Sequence, residues 1–223
     1  MKLVIAAATT ALISTAALAD ETANGKIQVR IPNGWTAEAI NVQDAEAVAL
    51  VSPDFNETGA ACLLGTADDP GTSGKAQSEL NEVAEGISTE AFWKEFFARP
   101  GVTNVTLIST GTKSRAARSV PFAKASYDDA EVGPAIAKDA LQIVPGRMLI
   151  VDCSAKTAAY PAAEPAFDVV IDSFGPLGGD VVASLPRPNS ELAVLRSPRP
   201  LPPQAGLKSL RTKLHAITAR RRQ

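Results

Sequence analysis

Arg147-Met-Leu-Ile-Val-Asp-Cys153, followed after a turn by Phe167-Asp-Val-Val-Ile-Asp-Ser-Phe174, sets the architecture of this chain. Leu149, Val151 and Cys153 fall on one face at the two-residue period of a strand, and Met148 and Ile150 fall on the other. Apolar residues on both faces predict an interior strand. Phe167, Val170, Ile171 and Phe174 recur at i, i+3, i+4 and i+7, the spacing of one helical face. Pro165 is expected in the first helical turn, where its missing N–H costs nothing. Asp168 and Asp172 are expected to point away from that face, into water. The segment therefore predicts a central strand that hands the chain to a helix covering the sheet.

Upstream, Pro145-Gly146 makes a tight connection from a strand over Ala135 to Val144. Before it, Val102 to Thr112 and Arg118 to Tyr127 have strand content, separated by the polar Gly111-Thr-Lys-Ser-Arg115, and Asp128 to Pro134 reads as a turn. Short links between successive strands favour an antiparallel meander. Gln77 to Glu85 has helical spacing at Leu80, Val83, Ala84 and Ile87. Glu90 to Ala98 is a second helical segment, with Ser88 or Thr89 as N-cap and Arg99-Pro100-Gly101 as its stop. Phe92, Trp93, Phe96 and Phe97 crowd that segment and predict a wide buried stripe, core packing rather than a ligand platform.

Near the start, Ile27, Val29 and Ile31 alternate with Lys26, Gln28 and Arg30, a half-buried first strand that Pro32-Asn33-Gly34 ends. Ala47 to Val51 and Ala60 to Thr66 read as further strands, joined by a polar hairpin-like link, Phe55-Asn-Glu-Thr-Gly59. The order strands, helix, strands, helix predicts α+β, a mostly antiparallel sheet covered by helices.

Lys2 precedes an apolar run from Leu3 to Leu18 that closes on Ala17-Leu18-Ala19. An A-x-A site after such a run predicts a signal peptide over residues 1–19, cut after Ala19, and hence a periplasmic or secreted protein. An uncleaved anchor is the alternative, against which stand the short run and its small closing residues. Residues 20–175 are then the folded domain. Residues 176–223 are a proline-rich linker and basic tail, expected to be disordered. From Asp20 to Pro186 there are 12 Lys and Arg against 23 Asp and Glu, a net −11; from Arg187 onward there are nine against one, a net +8. Leu207, Leu210, Leu214 and Ile217 share one helical face beside basic residues, a pattern suited to an anionic membrane or to a solvated tail.

Two cysteines in an exported chain invite a disulfide, Cys62 to Cys153. If their strands are neighbours, the bridge closes a loop of about 90 residues and stabilises by about 4–5 kcal/mol in the chain-entropy account. Two buried free thiols are the alternative.

Ile31-Pro-Asn-Gly-Trp35, Arg147-Met-Leu-Ile-Val-Asp-Cys153 and Phe167-Asp-Val-Val-Ile-Asp-Ser-Phe174 together resemble the PsbP/Mog-type fold superfamily, whose bacterial exported members include DcrB and LpqN. The resemblance covers roughly Lys26 to Phe174. It implies an α/β/α sandwich around an antiparallel sheet, usually non-catalytic and used for binding or assembly.

The chemistry that can be read is mostly exclusion. His215, the one histidine, lies in the tail, so a Ser-His or Cys-His pair in the body is ruled out. Two cysteines do not make a four-ligand zinc site, and no G-x-S-x-G, Walker or G-x-G-x-x-G sequence is present. No catalytic, cofactor-binding or metal-ligating residue is therefore assigned, and no cofactor is expected. Asp68-Asp69 and Asp128-Asp129 stand beside turns, where solvated loop acids are the default and a cation site or an acid-base pair the alternative. Trp35 is expected to pack at the sheet edge, with a ligand pocket as the alternative. These readings leave a non-catalytic envelope domain that binds a protein partner or assists assembly. The competing class is a small-ligand or cation carrier, or a carboxylate-based enzyme. Export argues against nucleic acid as a partner.

Overall fold

The structure, a computed structural model, describes residues 20–23, 26–42 and 45–177. The expected signal peptide and basic tail lie outside the described residues. The elements are β1 (Asp20–Ala23), β2 (Ile27–Arg30), β3 (Thr36–Val42), β4 (Ala45–Val51), α1 (Phe55–Thr58), β5 (Ala61–Asp68), a short 3-10 turn (Pro70–Thr72), α2 (Gln77–Ile87), α3 (Glu90–Phe97), β6 (Val102–Arg115), β7 (Arg118–Asp129), β8 (Gly133–Val144), β9 (Arg147–Lys156), α4 (Tyr160–Ser173) and β10 (Gly175–Pro176). The main sheet has the order β3-β4-β5-β9-β8-β7-β6, and every neighbouring pair is antiparallel. The fold is α+β, and β9 is the middle strand of seven, as its two apolar faces predict.

The path explains that position. After β5, α2 and α3 carry the chain over one face of the sheet, with α2 on β7 and β8 and α3 on β6. The chain then enters at the far edge and returns through β6, β7 and β8 by short turns. The β8–β9 turn needs Gly146, whose φ of 80° is one that L side chains rarely adopt. That return brings β9 into the gap beside β5. From there α4 crosses the opposite face, packing on β2, β8 and β9, and β10 pairs with β2 in a small sheet of order β1-β2-β10.

Each face has its own core. On one, Leu80, Ala84, Ile87, Trp93, Phe96 and Phe97 press on Ala47, Ala49, Ala123, Ala125 and Ala137. Small residues on the sheet make room for the large rings of α3, which stack and meet edge to face. On the other, Ile27 and Val29 join Tyr160, Phe167, Val170, Ile171 and Phe174 over Leu50, Leu64, Leu149 and Val151. Cys62 and Cys153 are directly opposite one another on β5 and β9 and are joined by a disulfide within this second core.

Several expectations need correction. Gly111-Thr-Lys-Ser-Arg115 is not a link between strands but the end of β6, paired in register with β7. Pro165 lies inside α4, not in its first turn; the helix starts at Tyr160, with Pro161 at the position that suits proline. The apolar period that begins at Phe167 hid two turns of helix whose residues are mostly small or polar. Phe55–Thr58 is a one-turn helix rather than a hairpin link, closed by Gly59 in the left-handed region at φ 65°. β3 was not foreseen, since Thr36-Ala-Glu-Ala-Ile-Asn-Val42 has no strong apolar face. Asp168 and Asp172 are partly exposed, but both carboxylates are ion-paired to lysines of the sheet.

Candidate functional site

Glu164, Asp168 and Asp172 are four residues apart along α4 and therefore make one stripe beside its apolar face. Three sheet lysines meet that stripe. Lys124 Nζ on β7 lies 2.9 Å from Glu164 Oε1 and Lys138 Nζ on β8 lies 3.9 Å from the same oxygen. Lys138 is also bonded to Asp168, and Lys113 Nζ on β6 lies 3.2 Å from Asp172 Oδ1. Lys124 sits 4.4 Å from the centre of the Tyr160 ring, whose hydroxyl donates to Glu164 at 3.5 Å. Burial first, and then the negative charges of Glu164 and Asp168, push the Tyr160 phenol well above its ordinary range. It stays protonated and serves as a packing ring with a donor.

The stripe ends at a groove of about 330 Å³ between the tip of the β6–β7 hairpin and the last turn of α4. Its lining is Lys113, Ser114, Arg115, Val120, Phe122, Ile171 and Asp172. Arg115 Nη1 donates to the Ile171 carbonyl at 2.9 Å, satisfying an end of α4, and its guanidinium lies 5.3 Å from the Phe174 ring. Phe122 lies flat on β6 because its partner there is Gly111: a Cβ at Gly111 would come within 3.0–3.1 Å of two Phe122 ring carbons. The hairpin turns on Ala116 and Ala117, both at positive φ (46° and 60°), where Asn-Gly is the usual pair. The turn is held from outside. Asn81 Nδ2 donates to the Ala117 carbonyl at 2.9 Å and Asn81 Oδ1 accepts the Ser119 N–H at 3.0 Å.

The opposite face of the sheet carries a second charged cluster. Asp139 and Asp152 are directly opposite one another on β8 and β9, 0% and 3% exposed. Arg99, just after α3, reaches Asp152 Oδ2 at 3.8 Å and lies 5.3 Å from the Tyr127 ring centre. These buried groups belong to the core, not to a cleft. The sequence reading took Arg99 only as part of a helix stop. An acid in the middle of an apolar strand was the available signal, because a buried charge requires a partner.

The adjacent acids have local duties. Asp69 Oδ1 accepts the Gly71 N–H at 3.2 Å at the head of the 3-10 turn. Asp128 Oδ2 accepts from Asn104 at 2.7 Å, and Asp129 Oδ1 accepts the N–H groups of Glu131 and Val132. Among the described residues, no group of three or more His, Cys, Asp or Glu is placed to hold a metal ion. Trp35 packs edge-on against Phe167 at 6.0 Å, away from the groove. No described helix is long and apolar enough to cross a membrane.

No protein-family model matches the chain, and no curated protein matches it. Among solved structures, the chain is similar to the solution structure of cyanobacterial PsbP (CyanoP) from Synechocystis sp. PCC 6803. Identity is 12% and the TM-score 0.47, over 76% of this chain and 98% of that one. It is also similar to the crystal structure of LpqN involved in cell envelope biogenesis of Mycobacterium tuberculosis, at 12% identity and a TM-score of 0.39, over 68% and 83% of the two chains.

Proposed function

We propose that the chain is an exported, non-catalytic domain that binds a protein partner in the cell envelope or assists assembly there. The observation that carries this reading is how the body employs its charged side chains. Glu164 and Asp168 tie α4 to Lys124 and Lys138, Asp172 is held by Lys113, and Arg99 and Asp152 meet inside the core. Acid-base and nucleophilic catalysis need a titratable group within reach of substrate in a concave site. Here these carboxylates and amines join one layer to the next. The A-x-A site after Leu3 to Leu18 supports export. So does the Cys62–Cys153 disulfide, a bond that persists in oxidising compartments. The basic tail, net +8 from Arg187 onward, supplies a second contact suited to an anionic membrane surface.

The test is affinity capture from solubilised envelope by the tagged protein, with and without residues 187–223. A partner retained in stoichiometric amount, and competed off by untagged folded protein, supports the reading. Retention that is equal for the reduced, denatured chain contradicts it. Deleting the tail lowers binding to anionic vesicles at low salt if the membrane contact is real, and unchanged binding removes that part of the proposal.

A further inference from the structure

We infer that the groove between the β6–β7 hairpin and the end of α4 is a binding site for a single-chain anionic amphiphile, one apolar chain or ring bearing a carboxylate or phosphate. This goes beyond the binding of a protein partner and does not depend on it.

Three observations converge on that ligand class. The first is the floor. α4 packs closely on β2, β8 and β9 and reaches the β6–β7 shoulder of the same sheet face through the longer side chains of Lys113, Arg115 and Lys124. Phe122, half-buried and held down against Gly111, supplies the apolar surface there, and Val120 and Ile171 line it as buried residues. The second is the rim. Lys113 and Arg115 of one hairpin line it, on a body whose net charge is −11. An anion is repelled by most of the surface and drawn to this end. Lys113 is also the group an anion can take over. Its pairing with Asp172 is solvent-exposed, 43% and 57%, and such pairs are weakly held. The ammonium stands 5.6 Å from the Phe122 ring centre, so a headgroup on Lys113 would place its chain along the floor. The third is size. A groove of about 330 Å³ falls at the small end of the range for ligand sites, enough for one chain or ring and too little for a folded segment.

The roles divide cleanly. Lys113 would hold the headgroup in place of Asp172, Arg115 would add positive potential while it caps α4, and Phe122, backed by the buried Val120 and Ile171, would hold the chain. Asp172 acts as the internal competitor that occupies Lys113 when no ligand is present.

The experiment is an amide NMR titration of the full protein, tail included, with decyl phosphate below its micelle concentration. Inorganic phosphate and decanol serve as half-ligands, and decanoate tests whether a carboxylate replaces the phosphate. Saturable shifts are expected at Lys113–Arg115, Phe122 and Ile171–Asp172. Lys113→Gln should weaken binding about tenfold, the loss of one charge-assisted hydrogen bond. Gly111→Ala, which forces Phe122 up into the groove without altering charge, should weaken it as well. Asp172→Asn should tighten binding several-fold, a gain that a misfolded variant does not produce. Each half-ligand should bind at least about tenfold more weakly than decyl phosphate. Three results would overturn the inference: shifts confined to the tail, affinity unchanged in both Lys113→Gln and Asp172→Asn, or inorganic phosphate binding as tightly as decyl phosphate.

Discussion

Lys124 and Lys138 stand directly opposite one another across β7 and β8, and the Glu164 carboxylate on α4 is shared between them. Two like charges in cross-strand register repel, so the pairing is tolerable only with the helix in place. The other face of the sheet mirrors the device with the signs reversed. Asp139 and Asp152 oppose one another across β8 and β9, and Arg99 comes in from the end of α3. Each helical layer is thus locked to the sheet by an opposite charge brought to a pair of like ones.

Replacing Glu164 with Gln leaves Lys124 facing Lys138 without its carboxylate, while Lys138 keeps Asp168. The groups are partly exposed, so solvent screening limits the loss to about 1–2 kcal/mol. Urea unfolding checks this, and the difference from the unmodified protein should shrink in high salt.

Arg99→Met is expected to cost more, about 3–5 kcal/mol, because it removes the cation paired with the buried Asp152 carboxylate. The double variant Arg99→Met, Asp152→Leu should recover part of that loss. A double-mutant cycle in urea reads the coupling directly.

Tyr160 gives a pH prediction. Its folded pKa is raised, so its contribution to stability is complete below the unfolded value of about 10 and is lost as pH rises above it. Between about pH 10 and 11 the protein should lose up to roughly 1.4 kcal/mol more than the Tyr160→Phe variant does. Unfolding curves of both proteins at pH 8, 10 and 11 measure the difference.

The disulfide joins strands that are neighbours in space but separated by 91 positions in sequence. Cys62→Ala with Cys153→Ala should lower stability by about 2–5 kcal/mol, chiefly by releasing the unfolded chain. The midpoint of denaturant unfolding, with and without reductant, checks it.

The strong periods were legible from the sequence because packing and periodicity agree there. The alternation around Val151 and the apolar stripe Phe167, Val170, Ile171 and Phe174 each have a face that must be buried, and the structure buries it. Boundaries were less legible where small residues carry the element. Tyr160-Pro-Ala-Ala163 has no periodic signal, so Pro165 read as a start, and β3 lacks a strong apolar face. Site residues were harder still. The stripe of Glu164, Asp168 and Asp172 is visible as spacing, but nothing local says that three lysines from three separate strands will meet it. Gly111 read as part of a polar link, and only the register that sets it beside Phe122 shows why a side chain is missing there.

β9 is the strand on which both layers and the disulfide depend, and native-state hydrogen exchange followed amide by amide tests that most directly. The slowest exchange should fall on Leu149 to Cys153 and on their partners in β5 and β8, at rates set by global unfolding. Fast exchange of Leu149 to Cys153, with the slowest amides confined to β6 and β7, would contradict it.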